Sequence, residues 1–313
     1  MMRFGNFSNM FMWLLGLRLD WSVASPDMFM QNYNFIRDWK HESVVLKLNA
    51  HSIMNHTAKP LPLKNRAGKV SAEKRRKLSD YISSEFLTRI PTPKGWKDSG
   101  FDWRSLVDFK TSHFQHLNEC FAESAGVTMD ALYQISSAPR AEEKRDAWFN
   151  PDHLAVCSGH SLGDTGLPED VFSASGKRWS PKSGCHPAAG ETAIELAQPP
   201  IVLCDLSGDN DIENQLEGLL KLAPVTVAVP SSNRVFKNYK SGILEVRHME
   251  TYSNVPDHAV ALVGFGSENG KRYWTLKNSW GPDWGEEGYF RVERKHDGSG
   301  ILGSYAAVTK TVS

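Results

Sequence analysis

Hydrophobic residues fall into two rhythms along the chain. Over Cys120–Ile135, Phe121, Ala125, Thr128, Leu132 and Ile135 recur every three to four residues and share one face of a helix. Phe29, Asn32 or Tyr33, Ile36 and Trp39 keep the same spacing after Ser25, an N-cap residue, Pro26 at the first helical position and Asp27 near the positive helix end. Residues 10–17 fit either the apolar core of a signal peptide behind Met1, Met2 and Arg3, or a first amphipathic helix with Phe11, Leu14, Leu15 and Leu17 inward; the helix is the preferred reading. Residues 44–48 read as a strand, 55–78 as a loose basic segment and 72–87 as a helix. Strand patterns dominate later, at 225–229, 259–265, 273–277 and 288–293, with Asn269-Gly270 as a hairpin turn between the middle two. Short helices and loops fill 140–222. Helices before strands, without internal repeats, predict an α+β fold.

Composition narrows the class. The chain has 313 residues, 40% of them hydrophobic and 23% charged, enough to bury a large core and unlike a disordered chain. No apolar run reaches the ~18–20 residues of a membrane span. Lys+Arg and Asp+Glu number 36 each, so overall charge does not call for a nucleic-acid partner. The balance hides a split: residues 1–92 hold 14 basic and 7 acidic side chains, and residues 93–313 hold 22 and 29. The sign changes beside residues 89–100, a linker by its Pro, Gly and Ser content. Four cysteines are too few for a disulfide scaffold.

Three segments carry chemistry that belongs together. Cys120 opens the predicted helix, where the positive end of the macrodipole favours a thiolate. His258, in Asp257-His258-Ala259-Val260, can accept the thiol proton. Asn278, in Lys277-Asn278-Ser279-Trp280-Gly281, can hold the imidazole N–H and fix its tautomer. Each residue alone reads more simply as a packed cysteine, a hydrogen-bonded histidine or a turn asparagine. The Trp- and Gly-rich run from Lys277 to Phe290 is longer than a tight turn requires.

On these motifs the chain resembles the papain-like cysteine proteases, in particular the cathepsin L group with its propeptide. Cys120-Phe121-Ala122-Glu123-Ser124-Ala125 is similar to the family's Cys-Trp-Ala-Phe-Ser-Ala, and Phe101-Asp102-Trp103-Arg104 to its mature N-terminal Asp-Trp-Arg. His153-Leu154-Ala155-Val156-Cys157 resembles Leu-Val-Asp-Cys. The resemblance implies two lobes, one helical and carrying Cys120, one β-barrel-like and carrying His258 and Asn278, preceded by a mainly helical propeptide. It implies residues 1–92 as inhibitory propeptide and 93–313 as peptidase domain, with the former running through the cleft. It implies Cys120 as nucleophile, His258 as acid and base, Asn278 as orienting residue, Trp280 as shield, Gly166 as a backbone partner for substrate, and a Cys157–Cys185 disulfide. No metal and no cofactor are implied. The expected partners are peptide or protein substrates and the chain's own propeptide, the expected state a monomer, and the expected location a lysosome- or vacuole-like compartment or the exterior. Asn6 and Asn55 fit glycosylation acceptors.

The nucleophile loop departs from the family. The glutamine that donates to the oxyanion is expected six residues before the nucleophile, where Phe114 stands; a loop one residue shorter puts Gln115 in that role. The family's cysteine three residues before the nucleophile is Leu117, and its partner position is Gly163, so both halves of one bridge are missing together. Cys204 is left over and reads as a small packed residue. Glu123 replaces an apolar helix residue, so it is either paired or protonated. These changes keep an alternative open: a weak or inactive homologue that binds peptides or another protease. An unrelated apolar ligand-binding module leaves the His258 and Asn278 segments unexplained.

Overall fold

The computed structural model describes residues 47–48, 90–110, 114–115, 118–136, 139–174, 177–198, 200–204, 212–245, 256–294, 302 and 305–312. The helices expected at 10–17, 25–39 and 72–87, the segment 55–78, and Asn6 and Asn55 lie outside these residues.

In chain order the elements are strands β1 (Lys47–Leu48) and β2 (Phe101–Asp102), a 3-10 turn (Trp103–Ser105), helices α1 (Cys120–Ile135), α2 (Ala141–Arg145), α3 (Pro151–Cys157) and α4 (Pro168–Phe172), strands β3 (Arg178–Trp179), β4 (Ile194–Glu195) and β5 (Ile201–Cys204), helix α5 (Ile212–Leu220), strand β6 (Val225–Val229), helix α6 (Arg234–Lys237), and strands β7 (Tyr239–Ser241), β8 (Ile243–Leu244), β9 (His258–Glu268), β10 (Lys271–Lys277), β11 (Tyr289–Glu293) and β12 (Tyr305–Val308). Helices α1–α4 precede most of the strands, as the patterning predicts, but β1 and β2 come before them and α5 and α6 lie among the strands. No helix among the described residues is long and apolar enough to cross a membrane.

The main sheet runs β5-β12-β6-β9-β10-β11-β8, with β2 also on β9. All its pairs are antiparallel except β11 with β8. Its centre is β9, eleven residues long, which starts at His258 and is buried through Phe265. Asn269 and Gly270 close the β9–β10 hairpin with φ of 51° and 78°, the left-handed pair that a two-residue turn of this kind needs. β2 lies so close on β9 that a Cβ at Gly264 would sit 2.6 Å from the Phe101 carbonyl oxygen, so only glycine admits the pairing.

Helix α1 packs on β9 and β6 on one side and on α3 and α4 on the other. That placement corrects the single-face expectation. Residues 120–122 and 124–134 are all buried, including polar Ser124, Thr128, Asp130 and Gln134, while Ile135 at the end is exposed. A helix between two layers has no solvent face along most of its length, so its polar side chains find internal partners. Thr128 donates to the Pro224 carbonyl, and Asp130 accepts from the Phe149 N–H at 2.8 Å. The stretch read as linker is anchored too: Ile90 is buried, and the Trp96 ring lies 4.9 Å from Phe101 and 5.1 Å from Phe265.

Cys157 and Cys185 form a disulfide, as the resemblance implied, tying the end of α3 to the loop after β3. Where the second bridge would have met Gly163, the Asn118 side-chain amide donates to the Gly163 carbonyl at 3.2 Å. Leu117 and the side chain of Cys204 lie outside the described residues.

Candidate active site

The site forms where the start of α1 meets the start of β9 and the end of β10. Cys120 is the first residue of α1, and its sulfur takes hydrogen bonds from the backbone N–H groups of Phe121 and Ala259. The second contact sets Cys120 against the residue that follows His258. His258 is the first residue of β9, and Asn278 follows the last residue of β10, so the antiparallel hairpin returns the chain to the same end of the sheet. His258 Nε2 lies 2.7 Å from Asn278 Oδ1. A carbonyl oxygen can only accept, so Nε2 carries the hydrogen and Nδ1 is the nitrogen able to receive a proton. The Ser279 N–H also donates to Asn278 Oδ1, at 2.9 Å, which fixes the orientation of the amide.

This pair is kept dry. His258 and Asn278 are 2% and 3% exposed. The Trp280 ring stacks on the His258 ring, with centroids 5.1 Å apart and planes 28° from parallel. Trp280 is held edge-on by Phe236 at 5.3 Å and by Trp284 at 5.4 Å. The long Trp-Gly run thus builds an aromatic wall over one hydrogen bond. Asp257 is buried beside it and accepts from the Ser231 N–H at 2.5 Å and from both the N–H and the hydroxyl of Ser232.

Gln115, the residue expected in the oxyanion role if the loop is shorter, packs against Ser279. It is buried, its N–H donates to the Ser279 carbonyl at 2.8 Å, and its Oε1 accepts from the Ser279 hydroxyl. Phe114, by contrast, turns its side chain outward and is 45% exposed. Gly166 is buried near the start of α4, and a Cβ there would lie 2.8 Å from Phe121 and 2.9 Å from His160. The pattern did not single out His160. Its ring lies tilted against Phe121, with centroids 4.9 Å apart, and its Nε2 lies 3.3 Å from an Asp170 carboxylate oxygen.

The thiol environment reverses one expectation. The helix N-terminus favours thiolate, but burial dominates and pushes the Cys120 thiol up to about 11, with the Asp257 and Glu123 carboxylates adding to the rise. The thiol therefore stays protonated until a base removes its proton. A second cluster lies behind the site, in a cleft lined by Lys110, Glu123, Asp130, Trp148, Lys277 and Asn278 among others. Burial raises Glu123 to about 7 and Asp130 to about 8, and lowers Lys277 to about 8, each opposed by the attraction between the carboxylates and the ammonium. Of this cluster Glu123 stands out in the sequence, but its neighbours Asp130 and Lys277 do not. Among the described residues, Cys157, Cys185 and His186 are close enough together to suggest a metal, but the two sulfurs are already bonded to each other.

Comparison with known proteins agrees with this geometry. The family model described as papain family cysteine protease matches residues 98–309. A viral cathepsin of the Cydia pomonella granulosis virus is 46% identical over 233 residues, which are 72% of this chain and 64% of that protein. Papaya proteinase 4 of Carica papaya is 31% identical over 235 residues, 71% of this chain and 61% of its own length. The chain thus spans less than two thirds of both relatives. Among solved structures, digestive procathepsin L2 from Tenebrio molitor larval midgut superposes with a TM-score of 0.64 at 21% identity, over 97% of this chain and 98% of that one. That likeness establishes the papain-like fold. The match from residue 98 to residue 309 takes in α1, β9 and β10 together, and the chain belongs to the papain family of cysteine proteases.

Proposed function

We propose that the chain is a cysteine-type endopeptidase, made as a proenzyme, that cuts peptide bonds with Cys120 as nucleophile and His258 as acid and base. The observation that carries this reading is the 2.7 Å hydrogen bond from His258 to Asn278, stacked under Trp280, with the Cys120 sulfur held by the backbone N–H of the residue after His258, Ala259. His258 Nδ1 takes the thiol proton, and the thiolate attacks the substrate carbonyl carbon. The tetrahedral oxyanion is held by the Cys120 N–H and the Gln115 side-chain amide. The imidazolium returns its proton to the leaving amine as the C–N bond breaks. Water then gives a proton to His258 and attacks the thioester, releasing the acid and restoring the thiol. Asn278 orients the imidazole throughout, and Gly166, where a Cβ would meet Phe121 and His160, pairs with the substrate through its backbone.

Residues 1–92 act as the inhibitory segment in this reading. The pairing of β1 with β7, Lys47 opposite Ser241 and Leu48 opposite Tyr239, supports it, because it docks the N-terminal part on the peptidase part by strand addition. A lysosome- or vacuole-like compartment, or the exterior, suits a disulfide-bearing proenzyme. One observation favours the second reading, a weak or inactive peptide-binding homologue: the high thiol value and the two carboxylates that sustain it. Cys120→Ala and His258→Ala decide between them. Both abolish peptide hydrolysis with unchanged thermal unfolding if the first reading holds; hydrolysis by Cys120→Ala at the wild-type rate refutes it.

A further inference from the structure

Gly166 has no side chain to anchor it, so the backbone there takes its place from the groups packed around it. Two rings press on it: a Cβ at Gly166 would lie 2.8 Å from Phe121 Cε2 and 2.9 Å from His160 Cε1. The rings of Phe121 and His160 meet each other with centroids 4.9 Å apart. Phe121 is fully buried, follows Cys120 directly and donates its N–H to the Cys120 sulfur, so this packing links Gly166 to the nucleophile. His160 comes from the loop after α3, where its N–H donates to the Ala155 carbonyl at 3.0 Å. Its Nε2 lies 3.3 Å from Asp170 Oδ2, and the same oxygen accepts from the N–H of Leu167, the residue after Gly166, at 2.9 Å. One carboxylate oxygen thus joins the His160 ring to the chain leaving Gly166. The two side chains are only 20% and 16% exposed, so the contact is better sheltered from water than a surface pair. On the other side of Gly166, the Asn118 amide holds the Gly163 carbonyl at a position without a cysteine.

We propose that His160, held by Asp170, positions the Gly166 backbone for the substrate. It is a positioning residue for peptide binding and acts through Gly166, not on the thiol. A loop already fixed in its binding geometry loses less freedom when the peptide docks, and that saving appears as affinity. The inference deepens the peptidase reading above and rests on it. A histidine that merely filled space would be replaceable by any ring of similar size; one held by Asp170 needs its N–H donor.

Two thiol reagents separate the alternatives. A peptidyl chloromethyl ketone must lie along Gly166 to reach Cys120, whereas iodoacetamide is small enough to react without that loop. The full chain is first left to process itself, and the rate of Cys120 labelling by each reagent is followed by peptide mass spectrometry. Wild type, His160→Ala, His160→Phe and His160→Gln are compared, with thermal unfolding in parallel. In His160→Ala and His160→Phe the peptidyl reagent is expected to react roughly three- to tenfold more slowly, the worth of about one hydrogen bond in placing the substrate. Iodoacetamide should stay within about twofold of the wild-type rate, because the nucleophile and its base are untouched. His160→Gln, whose amide can donate to Asp170, should recover most of the peptidyl rate. His160→Phe reacting like wild type with both reagents overturns the inference, as does equal slowing of both reagents, and either result leaves the nucleophile assignment standing. Absence of Cys120 labelling by both reagents in wild type overturns the peptidase reading and the inference with it. Should His160→Ala fail to fold, His160→Phe against His160→Gln carries the same comparison.

Discussion

Replacing Asn278 by alanine removes the acceptor that holds the His258 ring. Two bonds are lost together, the 2.7 Å contact from Nε2 and the 2.9 Å contact from the Ser279 N–H. The first matters most when His258 is protonated, because hydrogen bonds to charged groups contribute ~1.5–3 kcal/mol against ~1 for neutral ones. Both residues are buried beneath Trp280, so water cannot readily replace the amide oxygen. Loss of that stabilisation from the imidazolium converts to a decrease of roughly 10- to 150-fold in kcat/KM. Because the ring also loses its fixed direction, the decrease should fall on kcat, with KM changed little. The assay is steady-state hydrolysis of a fluorogenic peptide by Asn278→Ala and by wild type, with thermal unfolding as a control. A decrease smaller than about threefold, with the fold intact, would refute the claim that Asn278 positions the base.

Other outcomes follow from the same geometry. Gln115→Ala should lower turnover by roughly 10²-fold with little change in KM if its amide serves the oxyanion, and a change confined to KM would assign it to binding instead. Asp130, raised by burial to about 8, binds more protons folded than unfolded between its ordinary carboxylate range and that value, so its contribution to stability is present at acid pH and lost as pH rises toward 8; Asp130→Asn should flatten the fall in unfolding midpoint between pH 5 and pH 8. The full chain should process itself faster at pH 4 than at pH 7, and faster at high salt, if the opposed charges of residues 1–92 and 93–313 help hold the two parts together. Processing that ignores both variables would leave main-chain pairing such as β1 with β7 as the main restraint.

The sequence showed where α1, β6, β9 and β10 lie because their apolar periods are long and their turn residues specific. Asn269-Gly270 has the backbone that this dipeptide favours. Strands β3, β4, β5 and β12 escaped notice because two to four residues are too few to show a period, and only pairing partners far along the chain define them. The polar residues of α1 misled for a physical reason: amphipathic reasoning assumes one wet face, and this helix lies between two layers. The Cys120, His258 and Asn278 set was legible from residue type and motif. What surrounds it was not. Whether Gln115 or Phe114 would turn inward depended on a loop length that only the Ser279 contacts reveal. Lys277 and Asp130 are far apart in sequence and meet only because α1 crosses the end of the β9–β10 hairpin. The helix-dipole argument for a thiolate at Cys120 was sound in sign, but burial and two neighbouring carboxylates outweigh it.

The central claim is that His258, steered by Asn278, makes Cys120 a nucleophile, and covalent capture by an epoxide directed at papain-type thiols measures it most directly. The account predicts one adduct per chain, mapped to Cys120, formed at least tenfold more slowly in Asn278→Ala and undetectable in His258→Ala on the same timescale. An adduct on another residue, or capture of Cys120 at the wild-type rate in His258→Ala, would contradict it.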